Sequence, residues 1–144
     1  MRSIESKAKR VIFARFSEKD DLLQMVALTA REHNITSGFF FLIGTLKKAV
    51  LGFYKEGKYL PIEKSGPLEI VSCTGNISTK RHSEIVVHGH IVVSDCKGNA
   101  FGGHLLDKCI VDATAELVLV EVEGGILRRE LDTQRNLYLW SLNE

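Results

Sequence analysis

Three of the five histidines, His88, His90 and His104, fall within one short segment of the sequence. Side chains two residues apart on a β-strand point to the same face and lie about 6.5–7 Å apart, so His88 and His90 can converge on one ion. A third imidazole on that face would complete the donor set of a three-histidine metal site. This segment is therefore the candidate functional site.

The turn between the histidines decides whether the third one joins the pair. The four residues from Asp95 have Asp first and Gly fourth, which is typical of a three-residue hairpin loop ending in a glycine bulge. If Asp95 pairs with Asn99, His104 lies opposite His90 and the three imidazoles share one face. If Cys96 pairs with Asn99 instead, His104 moves to the other face, because a slip of one residue reverses every side chain.

Three neutral imidazoles would suit a zinc ion, with iron, nickel and copper less easily excluded. Three protein ligands leave a fourth position for water or substrate, and zinc lowers the pKa of a bound water to near neutrality. Glu69 and Glu84 are the candidates for an outer partner of a ligand or for a general base. No substrate can be named from the sequence, so catalysis stays open. The alternative is a polar strand face whose histidines are solvated or hydrogen-bonded, without a metal.

One helix and many strands are predicted to carry these residues. Residues 10–16 are β-branched and aromatic, which is typical of a strand. Ser17 and the acidic residues after it resemble a capping box, and apolar residues at helical spacing predict a helix from Glu18 to about His33. Short β-type runs divided by glycines then predict nine further strands, at 39–45, 49–54, 59–63, 68–77, 84–95, 100–106, 109–121, 126–130 and 136–142.

This order of elements indicates an α+β fold. Because no further helices interleave with the strands, we expect one domain over residues 1–144, with a curved, mostly antiparallel, barrel-like sheet packed with one main α-helix. The run Leu117–Val120 is apolar on both faces of its strand, so both faces need a cover. A partner subunit would supply the second cover, and the run therefore predicts a homo-oligomer.

Composition and charge narrow the functional classes. With 19 Lys and Arg against 18 Asp and Glu, the chain has no bulk positive charge for sequence-independent binding to nucleic acid. The three cysteines are never spaced Cys-x-x-Cys, which favours neither a disulfide framework nor a thiolate zinc site. No apolar run is long enough for a signal-peptide core or a bilayer span. We therefore expect a soluble cytoplasmic protein without a membrane partner.

Several segments together resemble one protein family. In this order they are similar to the PPC domain family (plant and prokaryote conserved, also called DUF296), in its stand-alone prokaryotic form. The resemblance covers nearly the whole chain, and its most specific motifs are Gly-Gly-His-Leu and Glu-Ile-x-Ser-x-Thr-Gly-Asn. The segments that carry it are Phe13–Phe16, Ser37–Leu46, Leu68–Ile77, His88–His90, Gly102–Leu105 and Ala115–Glu116.

The resemblance implies a homotrimer and, in some prokaryotic members, a metal ion held at positions matching His88, His90 and His104. Plant members carry the domain beside an AT-hook and bind DNA, but this chain lacks the Arg-Gly-Arg-Pro core of an AT-hook. The first hypothesis is therefore a homotrimer that holds zinc, or another divalent transition metal, beside a small-molecule site. The alternative is a DNA-binding or regulatory module without an AT-hook, in which three copies of a weak basic patch act together.

Overall fold

The computed structural model describes residues 2–142 of the chain, and its α+β fold confirms the predicted class. The described part contains one α-helix, one short 3₁₀ helix and eight strands. In chain order they are β1 (Lys7–Ser17), α1 (Leu22–Glu32), β2 (Gly38–Lys55), β3 (Lys58–Lys80), the 3₁₀ helix (Arg81–Ser83), β4 (Glu84–Ser94), β5 (Ala100–Leu105), β6 (Ile110–Glu123), β7 (Arg128–Asp132) and β8 (Leu137–Ser141).

Four of the strands close into a barrel. The sheet has the order β1-β6-β2-β5-β4-β3-β7-β8, and β2 also pairs with β3, so β2, β5, β4 and β3 form a closed ring. Strands β6 and β1 extend from β2 as an open wing. The named strands pair antiparallel, apart from one parallel bridge between Thr79 of β3 and Arg128 of β7. The expectation of a mostly antiparallel, barrel-like sheet is confirmed.

Two pairs of predicted strands are in fact single long strands. The predicted runs 39–45 and 49–54 both belong to β2, and 59–63 and 68–77 both belong to β3. The polar residues between the runs continue the ladder, with Lys48 opposite Ser65. The register shifts between Leu42 and Gly44, and again just after Leu46. Such bulges bend a strand pair without ending it, so the hairpin curves into the barrel.

The helix begins later than predicted, and the capping box at Ser17 is wrong. Ser17 is the last residue of β1, and its backbone N–H donates to the carboxylate of Asp20 at 2.8 Å. Lys19 has a φ of 74°, which an α-helix excludes. Asp21 is the N-cap, and its side chain accepts from the backbone N–H groups of Leu23 and the next residue at 3.1 and 3.3 Å. Within residues 2–142, no helix is long and apolar enough to cross a membrane.

One core lies between α1 and the barrel. Leu22, Val26 and Ala30 of α1 are fully buried, as their spacing predicted, and the helix packs against β4, β6 and β1. Burying a larger aliphatic side chain such as Leu22 or Val26 contributes about 1.5–3 kcal/mol of transfer free energy. The largest fully buried strand residues include Phe40, Leu42, Leu51, Ile77, Ile91, Leu105, Leu117 and Leu119.

The outer face of the wing is largely apolar, and within residues 2–142 several of its side chains are exposed. Leu117 and Leu119 of β6 face the core, whereas Val118 lies between Phe13 of β1 and Phe41 of β2 on the other face. Phe13 is 78% exposed and Phe41 is 50% exposed. The run 117–120 is therefore apolar on both faces, as expected, and a partner as its second cover remains a prediction. We define the wing surface as Val11, Phe13, Phe39, Phe41, Ile43, Val118 and Val120.

Candidate metal centre

The hairpin of β4 and β5 places two of the three histidines directly opposite each other. The Asp95 N–H donates to the Asn99 carbonyl at 3.1 Å, and the Gly98 N–H donates to the Asp95 carbonyl at 2.9 Å. Gly98 has a φ of 79°, the left-handed conformation that the glycine bulge requires. His90 consequently pairs with His104. The register predicted from the Asp-x-x-Gly turn is confirmed.

The side chain of Asp95 stabilises this loop. Its carboxylate accepts hydrogen bonds from the backbone N–H groups of Lys97 and Asn99 and from the Asn99 side-chain amide, each at 2.9 Å. The bond from the Asn99 side chain is the main cause that lowers the pKa of Asp95 below its usual value. Asp95 therefore acts as a turn residue that fixes the position of His104 opposite His90.

The three imidazoles are spaced as one tetrahedral ion would require. One nitrogen from each of His88, His90 and His104 lies within 4.8 Å of the other two. The ring centroids are 5.5 Å apart for His88 and His90, 5.0 Å for His88 and His104, and 5.4 Å for His90 and His104. Imidazoles bound to tetrahedral zinc at about 2.0–2.1 Å have centroids about 5.2 Å apart. The observed centroid distances of 5.0–5.5 Å match that value.

Glycines on the inner side allow the barrel to close beneath the cluster. Gly89, between His88 and His90, faces the interior opposite Gly75. A Cβ on Gly75 would lie 2.6 Å from ring atoms of Phe40 and 2.3 Å from the His88 carbonyl oxygen, and one on Gly89 would lie 3.0 Å from Phe40. The His-x-His pair therefore stands on backbone that is packed directly against the core.

Two histidines of the cluster are neutral at pH 7 in the metal-free protein. Burial lowers the pKa of His88 to about 4, with further contributions from the positive charge of Arg129 and from His90. Burial also lowers the pKa of His104 to about 4, with smaller contributions from His88 and His90. Since metals bind the neutral imidazole, both rings are already in the protonation state that ligation needs.

Side chains from outside the β4–β5 hairpin orient the rings. Tyr59 stacks on His104 with centroids 4.2 Å apart and planes 12° apart. Arg129 Nη2 donates to His88 Nδ1 at 3.1 Å. Because a guanidinium has only donors, Nδ1 must accept and the proton of neutral His88 is on Nε2. A metal ion on His88 would therefore replace either that proton or the hydrogen bond from Arg129.

One atom of the cluster lacks a partner. His104 Nδ1 is buried and, among residues 2–142, no hydrogen-bond partner reaches it. Leaving a buried polar atom unsatisfied costs about 1–3 kcal/mol, which a metal ion or a ligand donor would remove. This orphan nitrogen, the ring spacing and the neutral imidazoles together fit a zinc-type ion.

The two predicted carboxylates lie farther along the strands. Glu84 is exposed, contacts Lys80 at 2.9 Å, and precedes His88 by four residues, on the order of 13 Å along the strand. Glu69 is exposed and pairs with Ser94, four residues beyond His90. Neither is a member of the histidine cluster. A role as outer partner or general base stays a prediction.

A cavity of about 300 Å³ opens beside the cluster, a size that suits a small organic molecule. His88 and His104 form part of its wall, together with Tyr54, Tyr59, Arg129 and Tyr138. The sequence carries no local signal for Arg129 or Tyr59 at this site. Both residues reach the site through pairing between strands that are distant in the sequence. Arg129, for example, lies on β7, which joins the barrel by one bridge from Arg128 to Thr79.

The closed four-stranded barrel and the three-histidine cluster on it define a small α+β protein with a candidate metal centre. The chain belongs to the Plants and Prokaryotes Conserved (PCC) domain family, whose model matches residues 3–123. The family resemblance found in the sequence motifs is thereby confirmed.

Solved structures with the same fold come from several prokaryotes. A plant- and prokaryote-conserved protein of Pyrococcus horikoshii is 29% identical, with a TM-score of 0.89 over 100% of this chain and 99% of that one. A protein of Archaeoglobus fulgidus described as metal-containing is 28% identical, with a TM-score of 0.87 over 97% and 99% of the two chains. A protein of Ralstonia eutropha JMP134 with a provisional DNA-binding name is 28% identical, with a TM-score of 0.80 over 91% and 90%.

The curated relatives are much longer proteins. The bifunctional protein GlmU of Synechococcus sp. strain JA-2-3B'a(2-13) is 33% identical over 103 residues, which are 70% of this chain and 15% of that protein. GlmU of strain JA-3-3Ab is 32% identical over 114 residues, which are 78% of this chain and 17% of that protein. The chain thus spans about one sixth of the length of these relatives.

Proposed function

We propose that the protein is a homotrimer that binds a zinc-type metal ion through His88, His90 and His104, beside a cavity for a small molecule. The observation that carries the metal is the convergence of three imidazole nitrogens within 4.8 Å, on strands whose opposite face is packed against the core. The metal-containing relative from Archaeoglobus fulgidus supports it. Zinc is preferred because three imidazole ligands leave it one open tetrahedral position, and another divalent transition metal fits the same donors.

The chain's own residues have separate roles at this centre. A bound zinc-type ion would supply Lewis acidity at its open position. Tyr59 and Arg129 hold two of the imidazole rings, and Arg129 keeps the lone pair of His88 Nδ1 engaged. Tyr54 and Tyr138 form part of the wall of the cavity beside this centre.

Metal content tests this proposal. Protein purified without a histidine tag and loaded with zinc is expected to hold about one ion per chain. Elemental mass spectrometry measures this metal content. The His88→Ala/His90→Ala double variant removes two of three ligands and is expected to hold almost none. His33→Ala, an exposed histidine just beyond α1, is the matched control and should keep the wild-type content. Equal metal content in wild type and double variant contradicts the assignment.

The homotrimer is supported by two different apolar surfaces on one chain. The first is the wing surface, and the second is formed by Phe53, Leu60 and Ile62 on the β2–β3 hairpin, which are 60%, 38% and 44% exposed. Monomers rarely expose patches of this kind. Two unlike surfaces fit a cyclic, head-to-tail contact better than a two-fold dimer, in which one patch meets itself. The proposal of three subunits, rather than another number, comes from the family resemblance.

A cytoplasmic location is part of the same proposal. Cys73, Cys96 and Cys109 are all free thiols, and Cys96 is exposed. Free exposed cysteines are stable in a reducing compartment, which supports the cytosol.

The second candidate function is a DNA-binding or regulatory module. It is favoured by a cavity of about 720 Å³ whose lining includes Lys80, Arg81 and Arg128, and by the provisional name of the Ralstonia eutropha relative. The basic N-terminal arm adds little, because Lys9 and Arg10 are paired with the buried carboxylate of Glu121.

A gel shift tests the DNA candidate. If it holds, micromolar protein retards duplex DNA at low salt, and the retardation falls steeply as salt rises. Replacing Lys80 and Arg81 with alanine should then abolish it, whereas Lys7→Ala in the N-terminal arm should not. The absence of retardation at about 50 mM salt disposes of this candidate.

A further inference from the structure

Arg129 is a buried cation without a counter-charge. The residue is only 7% exposed, and within residues 2–142 no carboxylate lies close enough to form an ion pair with it. Buried guanidinium groups are normally paired, because removing a charge from water costs several kcal/mol. Beside the histidine cluster, the structure therefore holds a positive charge that no carboxylate of residues 2–142 compensates and that only the Trp140 ring faces, at 5.6 Å.

Neutral groups hold this guanidinium in one orientation. Nε donates to Ser78 Oγ at 2.8 Å, and Nη1 donates to the Tyr138 carbonyl at 2.8 Å. Nη2 donates to Asn76 Oδ1 at 2.9 Å and to His88 Nδ1 at 3.1 Å. Four of the five N–H groups are thus used and the side chain is fixed in advance, but its charge is not neutralised. An anion beside Arg129 would supply the missing counter-charge.

The cavity beside the histidines offers the place for that anion. Arg129 forms part of its wall, and among the described residues no Asp or Glu lines it. Apart from Arg129 and Lys58, its lining is mainly aromatic and aliphatic, including Tyr54, Tyr59 and Leu137. The wall would therefore accept an apolar body, while one end of the ligand meets a positive charge.

We propose that this cavity binds a small organic carboxylate, whose charge is compensated by Arg129 and whose apolar body lies against Tyr54 and Tyr59. A carboxylate is favoured over a phosphate because the cavity holds a single buried cation, Arg129, and a lining that is mainly aromatic and aliphatic. The proposal rests on the small-molecule site proposed above, for which it names the ligand class, and it does not depend on the metal.

Paired probes test the charge requirement without altering the protein. Monocarboxylates from acetate to benzoate are titrated by calorimetry, each beside its primary amide, which has nearly the same shape but no charge. Untreated and chelator-treated protein are compared, so that a failure of the metal proposal is separated from a failure of this one. We expect at least one carboxylate to bind ten-fold or more tightly than its amide in both preparations.

Substitutions then locate the charge. Arg129→Met is expected to remove the preference for the carboxylate, and Arg129→Lys to retain part of it. Arg128→Met removes the neighbouring exposed cation and should leave the preference unchanged. If Arg129→Met unfolds, as circular dichroism would show, the paired probes on the wild-type protein and on Arg129→Lys still decide.

Three results would overturn the proposal. The first is equal affinity for every carboxylate and its amide. The second is a preference confined to untreated protein and kept by Arg129→Met, which would place the anion on the metal. The third is tighter, Arg129-dependent binding of inorganic phosphate than of any carboxylate.

Discussion

Replacing Phe41 with aspartate is expected to convert the homotrimer into monomers. Phe41 is 50% exposed in the single chain and packs edge-to-face on Phe39 with centroids 5.8 Å apart, at the centre of the wing surface. Its partners on the adjacent strands are Val118 of β6 and Thr74 of β3, so a carboxylate buried there by a partner subunit has no cation directly beside it, and an unpaired buried charge costs several kcal/mol. Every chain of the trimer carries the substitution, so the energetic cost applies at each contact between subunits. Light scattering at micromolar concentration should show a fall from three chain masses to one.

The control for this experiment is Leu131→Asp. Leu131 is a similarly exposed apolar residue, at 48%, but lies on β7 outside the wing surface and the β2–β3 hairpin. It should keep the wild-type mass. Metal content should survive in Phe41→Asp, because Thr74 of β3 lies between Phe41 and His90 in the sheet. A wild-type protein that is already monomeric, or a Phe41→Asp variant that still forms the full assembly, would rule out the wing surface as the interface.

The candidate metal centre was predictable because its geometry is local. Four residues from Asp95 set the length of one turn, and the turn alone fixes His90 opposite His104. The spacing of His88 and His90 needs nothing beyond the alternation of a strand. Every step of that argument lies within the β4–β5 hairpin, so no knowledge of the remaining chain was required.

The environment of the centre was not predictable, because distant segments form it. Tyr59 comes from the far end of the β2–β3 hairpin, and Arg129 from a strand attached by one bridge. The wrong prediction of a helix cap at Ser17 shows the same limit of sequence analysis over a shorter distance. Its hydroxyl was a plausible cap, yet Asp20 accepts its backbone N–H and Asp21 caps the helix instead. Competition between neighbouring acceptors is decided by how the chain packs, not by the motif.

The sequence prediction divided the long strands into shorter ones for a related physical reason. Lys47 and Lys48 interrupt the apolar pattern of β2, and charged residues at exposed positions are typical of loops. In the structure the ladder continues through Lys48 because backbone hydrogen bonds do not require apolar side chains. Lys48 contacts Glu63 on the neighbouring strand at 2.8 Å. Hydrophobic periodicity therefore located the buried parts of the strands but not their ends.

The packing beneath the histidines gives the second large prediction, which concerns Gly75. Gly75→Ala is expected to lower the free energy of unfolding by about 3 kcal/mol or more, at the upper end of overpacking substitutions. Its Cβ would lie 2.3 Å from the backbone oxygen of His88 and 2.6 Å from the ring of Phe40. Urea unfolding of chelator-treated protein measures the effect without any contribution from a bound metal.

Gly102→Ala is the matched control, because its Cβ would lie 3.2 Å from the Val92 side chain and 3.3 Å from the Ile91 carbonyl oxygen, both much looser contacts than those at Gly75. We expect a loss below about 1 kcal/mol there. Adding Phe40→Leu to Gly75→Ala should restore only part of the stability, since the clash with the His88 carbonyl remains. That carbonyl belongs to the first histidine of the pair, so relieving the clash requires β4 to move away from β3. A Gly75→Ala chain as stable as the wild type would show that β4 moves easily, and packing would then not be what sets the His-x-His geometry.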